Sequence, residues 1–98
     1  MRSTRQDILS SLKKLKGEVT REYFIKTIGV FGSVAWNEEM VQSDLDLLGE
    51  FSKPVGFVTF MRLENFLSER LGERVDLVTS DSLKPVIRQG VLAEVIYV

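Results

Sequence analysis

The sequence contains no cysteine and no histidine, and these two absences exclude many classes of enzyme chemistry. Without cysteine there is no disulfide, no thiolate nucleophile and no sulfur-ligated zinc. Without histidine there is no Ser-His-Asp triad, and the commonest ligand of transition metals is missing. A metal bound by this chain would have oxygen ligands, which indicates magnesium, manganese or calcium.

Long apolar runs and a large net charge are missing too. The 98 residues carry a formal net charge of −1, and this balance argues against a nucleic-acid partner. No segment is long and apolar enough to cross a bilayer, and the first residues lack the apolar core of a signal peptide. We therefore expect one domain over residues 1–98, located in the cytoplasm and without membrane contact.

The spacing of the apolar residues predicts a mixed α/β (α+β) fold. The expected elements are helix 4–15 with one or two further turns after Gly17, strand 25–31, strand 44–51, helix 55–71 ending at Gly72, strand 74–79, helix 83–90 capped by Ser80 or Asp81, and strand 93–98. The link between the first two strands contains a polar loop at 37–43 and is too short for a crossover helix, so these strands should be antiparallel neighbours. The expected architecture is a small mixed β-sheet with helices packed on one side.

The first residues of chemical interest are Gly32 and Ser33, which end the apolar run 28–31. A strand that ends here and opens into a helical turn would leave backbone N–H groups pointing forward, and such a helix start favours a phosphate group. The alternative interpretation is a plain turn.

Two aspartates, Asp44 and Asp46, follow with ten residues between Ser33 and Asp44. Charged and apolar residues alternate along 43–48, so both carboxylates should project from one face of a strand. Neighbouring carboxylates repel each other unless a cation lies between them. The pair therefore predicts a magnesium site, and the alternative is an exposed strand face without function.

Asp76 is the third candidate, because it is the only charged residue in the apolar run 75–78. If its strand pairs beside strand 44–51, its carboxylate can join those of Asp44 and Asp46 on the same face. The alternative interpretation is a solvent-facing residue of a half-exposed strand.

In combination these motifs resemble those of the nucleotidyltransferases related to DNA polymerase beta. The stretches VFGSVA at 30–35, SDLDLL at 43–48 and VIYV at 95–98 are similar to the minimal nucleotidyltransferase (MNT) group, and the similarity extends from about residue 7 to residue 98. This resemblance implies the polymerase-beta-like nucleotidyltransferase fold.

The same resemblance implies a role for each candidate residue. Gly32 and Ser33 would hold the triphosphate of ATP. Asp44 and Asp46 would ligate two Mg²⁺ ions. Asp76 would complete the metal site and help to activate the incoming hydroxyl group. The implied partner is a HEPN-domain toxin, and the MNT protein would be the antitoxin that transfers AMP from ATP to a tyrosine of that toxin.

The sequence departs from the family pattern at two positions. The family usually continues Gly-Ser-x-Ala-Arg-Gly, whereas this chain has Trp36 and Asn37 in place of arginine and glycine. Trp36 could pack against a neighbouring element or partner, stack on the nucleotide base, or mark a site that has lost its activity. The sequence is therefore compatible with two alternative functions: a nucleotidyltransferase, and a non-catalytic antitoxin or binding module that neutralises its partner by contact. An α/β domain of unrelated role is a third.

Overall fold

The computed structural model describes residues 5–32 and 45–98. Over these residues the elements follow in this order: α1 (Arg5–Tyr23), β1 (Ile25–Phe31), β2 (Leu45–Phe51), α2 (Phe57–Leu71), β3 (Val75–Val78), a 3₁₀ turn (Ser80–Ser82), α3 (Pro85–Glu94) and β4 (Ile96–Tyr97). The predicted loop 37–43 lies outside the described residues. In this part of the chain, none of the helices has the length and apolar character needed to cross a membrane.

Helix α1 is continuous to Tyr23, although the sequence predicted an interruption at Gly17. The apolar stripe explains the difference, because Ile8, Leu12 and Val19 are all buried to 1% exposure or less. Gly17 lies on the exposed side of the helix, where its missing side chain leaves no gap in the core. Tertiary packing of the stripe outweighs the low helix propensity of one glycine.

Helix α2 ends as the sequence predicts, at Gly72. This glycine has a left-handed backbone with φ of 68°, and its N–H donates to the carbonyl oxygen of Ser68 over 3.0 Å. Glycine adopts this conformation without steric cost, so it ends the helix sharply and turns the chain towards β3.

Helix α3 starts later and continues further than predicted. Its N-terminal cap is Lys84, and Pro85 is in the first turn. The predicted caps, Ser80 and Asp81, belong to the 3₁₀ turn instead, which is closed by the hydroxyl of Ser82 donating to the carbonyl oxygen of Thr79 over 2.7 Å. Proline fixes the backbone where a helix begins, and this sets the start at 85. Because α3 continues to residue 94, β4 is only two residues long.

The four strands form one mixed sheet in the order β3-β2-β1-β4. Strands β1 and β2 are antiparallel neighbours, as predicted, and β4 is antiparallel to β1. Strands β2 and β3 are parallel, and α2 supplies the crossover that parallel neighbours require. The predicted fold class, a small mixed sheet with packed helices, is confirmed.

The hydrophobic core lies between the sheet and the helices α1 and α2. The strand residues Ile28, Val30, Leu45 and Leu47 are completely buried in it. Because side chains alternate along a strand, the residues between them face the opposite side of the sheet. A Cβ on Gly29 would lie 2.7 Å from the Cγ2 atom of Val95, so the end of α3 approaches this second face at β1. Asp46 and Asp76 belong to the same second face.

Candidate functional site

The site lies where β1 ends beside the beginning of β2. Phe31, the last residue of β1, pairs with Asp46 in the antiparallel register. The next residue, Gly32, has φ of 76°, in the left-handed region that favours glycine. The chain therefore turns away from the sheet at the point where the Asp46 carboxylate projects.

Glycine is favoured at position 32 for a second reason, which is the close approach of the Asp46 side chain. A Cβ placed on Gly32 would collide with the Oδ2 atom of Asp46 and lie 3.3 Å from its Cγ. The half-buried Asp46 carboxylate thus occupies the space that any larger residue at 32 would need. The sequence pattern predicts a phosphate-binding role for this glycine. The structure adds that it makes room for an acidic side chain.

Asp46 and Asp76 lie directly opposite each other on neighbouring parallel strands. Residues paired in this register project from the same face, and their Cα atoms are about 4.8 Å apart by the usual strand spacing. Asp46 is half-buried and Asp76 is exposed. The predicted pairing of the Asp76 strand beside β2 is thus present, and it brings these two carboxylates together at the site.

The remaining predicted site residues, Ser33 and Asp44, lie outside the described residues, as do Trp36 and Asn37. Over 5–32 and 45–98 alone, no three acidic side chains are grouped closely enough to hold a metal ion. A site with three carboxylates would need Asp44 in addition to the described pair, and its composition remains a prediction.

Two polar side chains of α2 bind backbone N–H groups at the outer edge of β3. The sequence motifs described above do not include these two residues. The N–H of Leu77 donates to the Oε2 atom of Glu64 over 2.9 Å, and the N–H of Val75 donates to the hydroxyl of Ser68 over 3.1 Å. Glu64 and Ser68 are four residues apart, and each follows a completely buried leucine. This spacing places them together at the border of the apolar face of α2. Their position at this border is the signal by which the sequence could have indicated their role.

The donor chemistry of the described pair fits a divalent cation. Magnesium takes carboxylate oxygens as ligands and is commonly held by one or two of them together with substrate phosphates. Two carboxylates on neighbouring strands provide such a set, and a cation would relieve their mutual repulsion. The arrangement can therefore support phosphoryl or nucleotidyl transfer.

A groove along the described residues lies elsewhere, at the other end of β2. It has a volume of about 740 Å³, and its lining includes Phe51, Lys53, Phe57 and Phe60. The groove begins at Glu50, about 13 Å along the strand from Asp46 at the usual rise per residue. We do not assign it to the acidic site.

Comparison with known proteins identifies the family. Residues 12–98 match the nucleotidyltransferase domain family model. The protein adenylyltransferase MntA of Thermococcus cleftensis is 41% identical over 95 residues, which is 97% of this chain and 96% of that protein.

Two solved structures share the fold. A minimal nucleotidyltransferase superposes with a TM-score of 0.73 at 36% identity, over 90% of this chain and 93% of that one. The complex of a tri-AMPylated HEPN toxin with its MNT antitoxin, from Shewanella oneidensis, matches with a TM-score of 0.68 at 22% identity, over 95% of this chain and 70% of the matched chain. The family match covers Gly32, Asp46 and Asp76. The chain therefore belongs to the nucleotidyltransferase domain family.

Proposed function

We propose that the chain acts as one nucleotidyltransferase domain over residues 1–98 and transfers AMP from ATP to a protein hydroxyl, in a reaction that depends on Mg²⁺. The acceptor in this proposal is a tyrosine of a HEPN-domain toxin, so that the chain is an antitoxin. The observation that carries the proposal is the direct pairing of Asp46 with Asp76 on parallel strands, beside a left-handed Gly32.

The comparisons support this choice of reaction and partner. The relative from Thermococcus cleftensis is named a protein adenylyltransferase, and it matches nearly the whole of this chain. The matched Shewanella oneidensis complex contains an AMPylated HEPN toxin together with an MNT antitoxin.

The proposed reaction forms one bond and breaks another at the α-phosphorus of ATP. The tyrosine oxygen bonds to phosphorus, the bond to pyrophosphate breaks, and the hydroxyl proton passes to a carboxylate, for which exposed Asp76 is the best placed of the described pair. Asp44, Asp46 and Asp76 would hold Mg²⁺, which supplies the neutralisation of charge on the α-phosphate and pyrophosphate. Gly32 and Ser33 would hold the triphosphate through backbone N–H groups.

The direct test uses labelled ATP and a HEPN partner. Wild type should transfer label to the partner, and Asp44→Asn and Asp46→Asn should each abolish transfer while remaining folded. Asp81→Asn is the matched control, because Asp81 is exposed on the 3₁₀ turn and outside the proposed site. Full transfer by either site variant would contradict the mechanism.

One feature of the sequence favours a second function, that of a non-catalytic antitoxin. Trp36 and Asn37 replace the arginine and glycine of the family motif, and tryptophan cannot replace arginine as a phosphate partner. Titration calorimetry with ATP and Mg²⁺ separates the two functions. Heat of binding that is lost in Asp46→Asn supports the enzyme. No heat, together with tight binding of the partner, supports neutralisation by contact.

A further inference from the structure

Strand β3 is short and lies at the edge of the sheet. It has four residues, Val75–Val78, and within 5–32 and 45–98 it pairs with β2 alone. An edge strand of this length leaves unpaired N–H groups on its outer side and is free to shift unless other groups bind them. Because Asp76 is carried by this strand, its position depends on what holds the outer edge.

The parallel register determines which N–H groups face outward. Leu45 pairs with Val75, and the N–H of Leu45 donates to the carbonyl oxygen of Arg74 over 2.8 Å. In a parallel ladder the N–H of Asp76 then faces β2, whereas the N–H groups of Val75 and Leu77 face away from it. The two outward groups are those that α2 binds.

Side chains of α2 bind both outward N–H groups. The Ser68 hydroxyl accepts from Val75 over 3.1 Å, and the Glu64 carboxylate accepts from Leu77 over 2.9 Å. These two bonds flank Asp76, one residue on each side. The bond to Glu64 is charge-assisted, and such bonds are stronger than neutral ones.

We infer that Glu64 and Ser68 are positioning residues for nucleotidyl transfer. Their hydrogen bonds fix the position and orientation of β3 in the sheet and thereby hold the Asp76 carboxylate opposite Asp46. The inference rests on the proposed function, in which Asp76 belongs to the site. Glu64 acts through the backbone: its carboxylate lies at the outer edge of β3, whereas the Asp76 side chain projects from the face of the sheet.

The role of the hydrogen bond is tested with variants at position 64. Glu64→Ala removes the acceptor, and we expect kcat of AMP transfer to fall about 10- to 100-fold, the range seen when groups that orient metal ligands are lost. The KM for ATP should stay near the wild-type value. Glu64→Gln keeps an oxygen acceptor at the same chain length and should restore most of kcat. A helix with weakened packing but no positioning role would not show this rescue.

Two further variants complete the set. Ser68→Ala removes the weaker, neutral bond, and we expect a smaller loss of kcat in the same direction. Glu69→Ala is the control, because Glu69 is exposed on the same helix and should leave kcat unchanged. Hydrogen exchange of the Leu77 amide, followed by NMR, reports the bond itself and should become faster in Glu64→Ala but not in Glu69→Ala.

The outcomes separate failure of this inference from failure of the proposed function. Wild-type kcat in Glu64→Ala despite faster exchange at Leu77 would overturn the inference and leave the proposed function intact. An equal loss of kcat in Glu64→Gln and Glu64→Ala would also overturn it.

If wild type transfers no AMP, the proposed function fails. The positioning role of Glu64 is then tested by Mn²⁺ binding. In that case, broadening of the Leu77 amide resonance at low Mn²⁺ in wild type, but only at higher Mn²⁺ in Glu64→Ala, would support positioning. The absence of broadening in wild type would overturn the inference as well.

Discussion

The two faces of the β2–β3 pair differ most at the paired positions 45–47 and 75–77. On the face towards α1 and α2, Leu45, Leu47 and Leu77 are buried to 3% exposure or less. On the other face, Asp46 and Asp76 stand side by side, the first half-buried and the second exposed. Alternation along a strand thus separates the residues that stabilise the fold from those that we propose carry out the chemistry. Substitutions of Leu45, Leu47 or Leu77 should change stability, and substitutions of Asp46 or Asp76 should change activity.

The largest effect is expected on the acidic face, from Asp46→Asn. Loss of one carboxylate removes a proposed metal ligand, and metal ions supply several kcal/mol of transition-state stabilisation, so transfer should fall by at least about 100-fold. The variant keeps the volume of the side chain and should unfold at nearly the wild-type temperature. Labelled-ATP transfer and thermal unfolding followed by circular dichroism measure the two effects. Unaltered transfer would remove the distinction between the faces.

On the opposite face of the same strand, Leu47→Ala should give the reverse pattern. Leu47 is completely buried, and truncation of a buried leucine costs about 2–5 kcal/mol in the free energy of unfolding. Urea denaturation measures this loss. Below the transition, kcat per folded molecule and the KM for ATP should remain as in wild type. A large fall in kcat of the folded variant would show that the two faces are coupled.

Gly32→Ala and Gly72→Ala compare the same backbone strain in two places. Both glycines have positive φ, 76° and 68°, but a Cβ at 32 meets Asp46 whereas a Cβ at 72 has no atom within 4 Å. Each variant should lose about 1 kcal/mol of unfolding free energy through strain. Only Gly32→Ala should also lose transfer, by up to about 100-fold, because the Asp46 carboxylate is displaced. Equal activities of the two variants would contradict a steric role for Gly32 in the site.

The smallest effect should follow from Val58→Ala, at the start of α2. Val58 is 61% exposed and belongs to neither face of the strand pair. Surface substitutions of this kind usually change the free energy of unfolding by less than about 0.5 kcal/mol. Thermal unfolding and the transfer assay should both give wild-type values. A loss as large as that of Leu47→Ala would show that the exposed side of α2 also contributes to the core.

Much of the fold could be predicted from the sequence because its signals are local. Strand β1 has the predicted bounds, and Gly72 ends α2 as expected, since both depend on a short apolar run or on a single glycine. The limits of α1 and α3 were less accurate. Burial of Val19 carries α1 past Gly17, and the 3₁₀ turn at 80–82 uses the residues predicted to cap α3. Both differences arise from tertiary packing or from turn hydrogen bonds that periodicity does not contain.

The candidate site was predictable to a similar extent. The sequence places Asp46 on a strand face, but only the sheet order shows that Asp76 is its direct neighbour. The close approach of Gly32 to the Asp46 carboxylate depends on the antiparallel register, which the sequence does not specify. Glu64 and Ser68 carried only a weak signal, because polar residues at the border of an apolar helix face are common.

The central claim is that Asp46 and Asp76 bind the same cation, and Mn²⁺ titration of the ¹⁵N-labelled protein tests it most directly. The amide resonances of Leu47 and Leu77, each next to one aspartate, should broaden together at the same Mn²⁺ concentration in wild type. In Asp46→Asn and in Asp76→Asn, both resonances should require at least about tenfold more Mn²⁺, a change of about 1.4 kcal/mol. Broadening of one resonance without the other, or unchanged titrations in the variants, would contradict the shared site.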